Sequence, residues 1–273
     1  MKSRIITSLI GVPIIFSFLL SFVFLKILVF ILMILSSYEI FQMSNLKKQK
    51  YLISSILIII IIFTLTVWID WSFTVYIVGT FSLLSFFYLI YLVCTNWKFR
   101  KSELESSSSK NNTFYIFFIS ILYFSLILIH LVFLRNEEQG FRFLIFVLII
   151  TFSVDSFSYF IGSLIGKKRD NFLSLISPNK TIEGTLGGFF VGFLFSILLS
   201  RILDINGDWG SLFIISFLIP FFAVIGDFLQ SALKRYFGVK DSGESLPGHG
   251  GFLDRIDSLG LSVASYYWIL VFI

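Results

Sequence analysis

The chain has 273 residues, 57% of them hydrophobic and 14% charged, with a formal net charge of +5. Soluble domains run near 45–50% apolar and about 25% charged, so this composition excludes a soluble globular protein and indicates a polytopic, all-α membrane protein. No stretch is long and polar enough for a separate soluble domain. One membrane-embedded domain is expected over 1–273, divided into N-terminal helices (1–140) and a more polar second part (141–273). A single cysteine, Cys94, excludes an intramolecular disulfide.

The N-terminus, MKSRIITSLIGVPIIFSFLLSFVFL, has a basic start and an apolar run but no clear A-x-A site, so it reads as a retained first helix. Segments of about 20 apolar residues recur along the chain. Nine are predicted, at 5–23, 26–43, 51–70, 72–94, 114–134, 141–162, 183–201, 211–233 and 258–273. Lys26 and Asp70–Trp71 are the expected hairpins. Residues 95–113, with SSSSKNN inside, read as a flexible linker. With the N-terminus inside and the helices alternating, 17 of the 21 Lys and Arg fall on the inner side. Only Lys26, Arg135, Arg142 and Arg201 fall outside. The positive-inside rule predicts that bias. It accounts for the basic charge without nucleic acid.

A charge at membrane depth is costly, so each one raises a functional hypothesis. Glu39, in SSYEIFQM, reads as a structural residue near the interface. His130 also reads as structural. Asp155 lies late in the sixth segment, where Asp155, Tyr159, Gly162 and Gly166 share a face by helical spacing. Asp155 is either part of a site or a polar link between helices. Gly184, Gly188 and Gly192 make two successive G-x-x-x-G steps, a close-packing signal. Ser177, Pro178, Lys180 and Thr181 precede them at a helix N-terminus, which suits an anion. Pro178 and Glu183 fit ordinary helix initiation equally well. Asp227, Gln230, Ser231 and Lys234 form one stripe. That stripe is a polar wall or simply an amphipathic helix end.

The segment KDSGESLPGHGGFLDRIDSLG, residues 240–260, is unlike the rest. Its glycines permit backbone shapes closed to other residues and close approach to a ligand. Asp254 and Asp257 are one turn apart if FLDRIDSL opens the last helix. Carboxylates in such a cluster suit Mg²⁺, usually held by one or two acids plus substrate phosphates. Lys234, Arg235, Lys240 and Arg255 suit phosphate. His249 is open as a ligand, a phosphate contact or an acid. Together these point to phosphoryl or nucleotidyl chemistry on a lipid at the cytoplasmic face. A transporter of an anionic solute is the competing class. Against it, the polar groups gather at one face and no broken-helix repeat is visible.

Residues 231–257, SALKRYFGVKDSGESLPGHGGFLDRID, resemble the signature of the phosphatidate cytidylyltransferases, or CDP-diacylglycerol synthases. The pattern S-x-x-K-R, four residues, K-D-S-G, three residues, P-G-H-G-G, two residues, D-R-x-D is filled throughout. The likeness extends upstream through Gly226-Asp227, the Ser177–Gly184 stretch and the Asp155–Lys167 segment. Gln230 stands where relatives often have Glu, Glu244 where His can occur, and Ser158 where Ala is usual. The D-G-x-x-A-R pattern of the CDP-alcohol phosphotransferases is absent.

The resemblance implies transfer from CTP to phosphatidate, giving CDP-diacylglycerol and pyrophosphate, at the cytoplasmic side of the cell membrane. It implies Asp227 and Asp254 as metal ligands for Mg²⁺, with K⁺ beside it. Ser177, Lys180, Thr181, Lys234, Arg235, Lys240 and Arg255 would hold phosphates. Glu183, Ser231 and Asp155 would lie at the substrate. Asp241, His249 and Asp257 are further catalytic candidates. A homodimer is implied too, with the glycine-lined helix face as its expected seam.

Overall fold

A computed structural model describes residues 20–44, 46, 49–68, 71–99, 108–167, 176–178, 180–205, 209–243, 245 and 250–272. They form eight helices: α1 Phe22–Ser44, α2 Gln49–Trp68, α3 Trp71–Phe99, α4 Ser108–Asn136, α5 Gly140–Ile165, α6 Ile182–Ile202, α7 Trp209–Phe237 and α8 Leu253–Phe272. Among the described residues there is no strand, and seven helices carry a stretch long and apolar enough to cross a membrane. The eighth, α8, begins with Asp254, Arg255 and Asp257. The protein is an all-α polytopic membrane protein. Large apolar side chains such as Val23, Leu84, Phe87, Leu194 and Leu198 lie exposed on the helices, which suits lipid rather than water.

Several predicted boundaries shift. Lys26 lies inside α1 rather than in a hairpin, with its ammonium 4.4 Å from the Phe22 ring centre. A lysine near a helix end can run its stem along apolar surface and keep its head polar. The predicted first segment lies almost wholly outside the described residues. The 95–113 linker is largely helical, since α3 runs to Phe99 and α4 starts at Ser108. The last helix begins at Leu253, as FLDRIDSL suggested, not at 258.

The chain divides into two compact units, residues 1–132 with 233–255, and residues 133–232 with 256–273. In the first unit α4 is mostly buried while little of α2 is. Ser37 and Ser55 hydrogen-bond at 2.8 Å between α1 and α2. Ring pairs Phe41–Phe117 and Phe86–Tyr123 join α1 and α3 to α4. The α7 helix ends at Gly238, whose φ of 77° is open to glycine at little cost. There the Val239 N–H reaches back to the Lys234 carbonyl at 3.0 Å.

In the second unit α5 and α6 pack face to face through the predicted glycines. Gly184, Gly188 and Gly192 are buried. A Cβ built on Gly184 would stand 2.6 Å from the Ser158 carbonyl oxygen and 2.8 Å from the Gly162 Cα. The expected dimer seam is therefore used within the chain. Pro220, inside α7, cannot bond the Ser216 carbonyl. The Ser196 hydroxyl from α6 donates to that oxygen at 3.2 Å instead.

Candidate active site

The second unit carries an acid cluster around one lysine. Thr181 caps α6, its hydroxyl accepting from the Gly184 N–H at 3.1 Å, so ordinary helix initiation is realised. The cap holds Lys180 just outside the helix. Its ammonium pairs with Asp227 of α7 and lies 4.9 Å from the Phe228 ring centre. Ser231, one turn on, donates to Asp227 at 3.5 Å. Asp155 of α5 accepts from the Ser258 hydroxyl of α8 at 2.9 Å. Ser258 thus joins the acid cluster, a residue that sequence reading had passed over. Asp257 accepts a local bond from the Ser258 N–H at 2.8 Å. Burial, then the nearby Asp227 and Asp155 carboxylates, push the Asp257 carboxyl well above the usual range. Three carboxylates here share one ammonium.

The remaining predicted residues of this unit are placed more plainly. The Ser177 carbonyl accepts from the Lys180 N–H, and Glu183 accepts from the Lys167 N–H at 3.3 Å. Gly162 and Gly166 face Thr181, whereas Tyr159 is exposed.

The first unit holds the signature loop. Lys234 and Asp254 form an ion pair at 2.6 Å, both mostly buried. The second Asp254 oxygen accepts from the Ser242 and Gly251 N–H groups at 2.9 and 3.3 Å. Burial would raise this carboxyl, but Lys234 and the Ser242 donor outweigh it and hold it below the usual range. Arg235 donates to the Val239 carbonyl at 3.2 Å. Lys240, Asp241 and Arg255 are exposed. His249 and Glu244 lie outside the described residues.

Sequence reading took Glu39 as structural but did not foresee its partners. It is fully buried in α1, and both its oxygens accept hydrogen bonds from the signature loop. The signal was present, since a carboxylate within an apolar helix is a functional candidate by default.

Among the described residues no three His, Cys, Asp or Glu side chains are gathered as a ready-made metal cage. The donor chemistry still fits a hard cation. Among the described residues the acids around Lys180 outnumber the positive charge there, and Mg²⁺ commonly completes its shell with substrate phosphates and water.

Long apolar helices carrying part-buried Lys–Asp pairs define an integral membrane protein. Comparison with known proteins narrows that class. The sequence profile of the cytidylyltransferase family matches residues 2–273. The chain is 31% identical over 261 residues to a phosphatidate cytidylyltransferase of Staphylococcus epidermidis, covering 94% of each chain. It is 33% identical over 153 residues to one from Bacillus subtilis, covering 56% of each. It is 37% identical over 126 residues to one from Staphylococcus aureus, covering 46% of this chain and 48% of that one. The chain belongs to the cytidylyltransferase family and is a nucleotidyltransferase. These relatives give no support to the transporter reading.

Proposed function

We propose that this chain transfers the cytidylyl group of CTP to phosphatidate, forming CDP-diacylglycerol and pyrophosphate. The family match across the chain, to relatives named for that reaction, carries the reading. A phosphate oxygen of phosphatidate attacks the α-phosphorus of CTP. The bond from that phosphorus to the oxygen bridging toward the β-phosphorus breaks, and pyrophosphate leaves with the electron pair. The attacking phosphate is already anionic at neutral pH, so no strong base is needed. The protein's work is positioning and charge neutralisation.

Lys180 is the residue proposed to neutralise phosphate in the second unit, with Ser177, Thr181, Glu183, Ser231 and Asp155 as the other substrate contacts. Lys234, Arg235, Lys240 and Arg255 supply positive charge in the first. Asp241, His249 and Asp257 remain catalytic candidates. Asp227 and Asp254 are the proposed metal ligands. Each now carries a lysine, and phosphate would draw that lysine away and free carboxylate oxygens for a cation. Mg²⁺, when bound, would offset charge on the nucleotide oxygens and on departing pyrophosphate. K⁺ and a homodimer enter by family resemblance alone, and a dimer has to use a surface other than the Gly184 face. The bias of Lys and Arg supports a site on the cytoplasmic side of the cell membrane.

The test is purified protein in detergent with phosphatidate, Mg²⁺ and CTP labelled on the α-phosphate. Label should move into lipid, and chelating the metal should stop it. Folded protein that leaves the lipid unlabelled would overturn the reading.

A further inference from the structure

A carboxylate placed where water cannot reach it is costly unless its oxygens are fully hydrogen-bonded. Glu39 is such a group, 0% exposed in α1. Its donors all come from the far end of the chain. Oε2 accepts from the Ser242 hydroxyl at 2.9 Å and the Leu253 N–H at 2.8 Å. Oε1 accepts from the Ser245 hydroxyl at 2.5 Å and the Phe252 N–H at 2.6 Å. Each oxygen thus takes one hydroxyl and one backbone N–H. The two N–H groups belong to the start of α8, where helices leave donors unpaired and favour negative charge.

The loop glycines follow from the same contact. A Cβ on Gly251 would stand 2.8 Å from Glu39 Oε2 and 2.7 Å from the Gly243 nitrogen, and would collide with the Ser242 hydroxyl. A Cβ on Gly243 would press on the Glu39 carboxylate at 3.3 Å. The last glycines of K-D-S-G and of P-G-H-G-G therefore make room for a glutamate. Asp254 completes the frame by accepting from the Ser242 and Gly251 N–H groups. Two carboxylates, one from α1 and one from α8, thus hold the backbone next to Asp241 and at the start of α8.

We propose that Glu39 is a positioning residue. It fixes the backbone of the signature loop through the Ser242, Ser245, Phe252 and Leu253 donors, and the reaction depends on that fixed shape. The kinetic arm of the test rests on the cytidylyl transfer proposed above, whereas the structural arm does not.

The variants are Glu39→Gln, Glu39→Asp and Ser245→Ala, with Gln42→Ala, an exposed neighbour on α1, as control. Glu39→Gln sets an amide donor against hydroxyl and N–H donors. Ser245→Ala removes one donor at an exposed site and spares the fold. Hydrogen exchange is followed at residues 250–253 and in α4, and the KM for CTP and kcat are measured separately. Glu39→Gln should speed exchange at 250–253 by roughly tenfold or more, the scale set by losing charge-assisted hydrogen bonds, and leave α4 unchanged. The KM for CTP should rise together with the fall in kcat. Glu39→Asp and Ser245→Ala should fall between it and the control.

A purely structural glutamate would lower the active fraction and leave KM in place, and that result overturns the proposal. So does unchanged exchange at 250–253 in Glu39→Gln or, where that variant does not fold, in Ser245→Ala. An inert wild type would sink the cytidylyl-transfer reading, and exchange alone would then judge Glu39.

Discussion

The acids of the first unit and those of the second are treated in opposite ways. Glu39 and Asp254 are supplied with donors on both oxygens, one of the Asp254 donors being the Lys234 ammonium. Asp155, Asp227 and Asp257 share one ammonium and a few serine donors. The sharpest contrast lies within D-R-I-D. Asp254 is held below the usual carboxyl range and Asp257, one turn later, is pushed well above it. Residue type is the same, so the surroundings set the difference. Glu39 is thereby tied into structure, while Asp254, the proposed metal ligand, has to release Lys234 before it takes a cation. The crowding of Asp257 by Asp227 and Asp155 favours a retained proton there.

That contrast can be broken most decisively at Asp227. Asp227→Asn should lower lipid labelling from CTP by at least about 10²-fold, the scale for removing a charge-stabilising group from an active site. Near-normal labelling would make the acid cluster mere helix packing.

Stability in detergent without divalent cations separates the two kinds of acid. Asp254→Asn leaves the largely buried Lys234 without its counter-ion and should cost about 3 kcal/mol. Asp257→Asn removes a carboxylate from a cluster already rich in negative charge and should be neutral or stabilising. Thermal unfolding of the pair reads the sign directly, and equal losses would erase the distinction.

Lys180→Met should sharpen it further. Removing that ammonium leaves three carboxylates uncompensated, so the variant should melt lower than wild type without metal and gain more from added Mg²⁺.

Effects away from the acids should be smaller. Gly188→Ala places a methyl against the Ser158 hydroxyl and 2.6 Å from the Val154 carbonyl, and should cost about 2 kcal/mol by overpacking. Ser196→Ala loses the bond to the carbonyl that Pro220 leaves open, and should cost only about 0.6 kcal/mol, typical of a single interhelical hydrogen bond in a membrane. Both should leave the KM for CTP unchanged.

Much of this was legible in the residues. Apolar runs of spanning length cannot satisfy their backbone in lipid except as helices, so composition sufficed for the all-α membrane class. Gly184, Gly188 and Gly192 announced a close crossing because their spacing puts three missing side chains on one stripe. The filled pattern at 231–257 named the family, as fixed spacing can. What spacing could not name was the partner across the crossing. The glycine stripe reads alike whether it meets a second copy or α5 of its own chain. Lys26 looked like a hairpin because a charge interrupts an apolar run, and a snorkelling lysine leaves no separate mark.

Glu39 lies 203 residues from Ser242, and no periodicity links the two. Local pattern dictates which face a side chain takes, and chain folding alone dictates what meets that face. The sequence by itself thus determined the membrane class, the helices, the family and the residues able to carry charge. Only the tertiary structure decided which of those carboxylates are saturated with donors and which are crowded against one another, because that depends on neighbours brought in from distant parts of the chain.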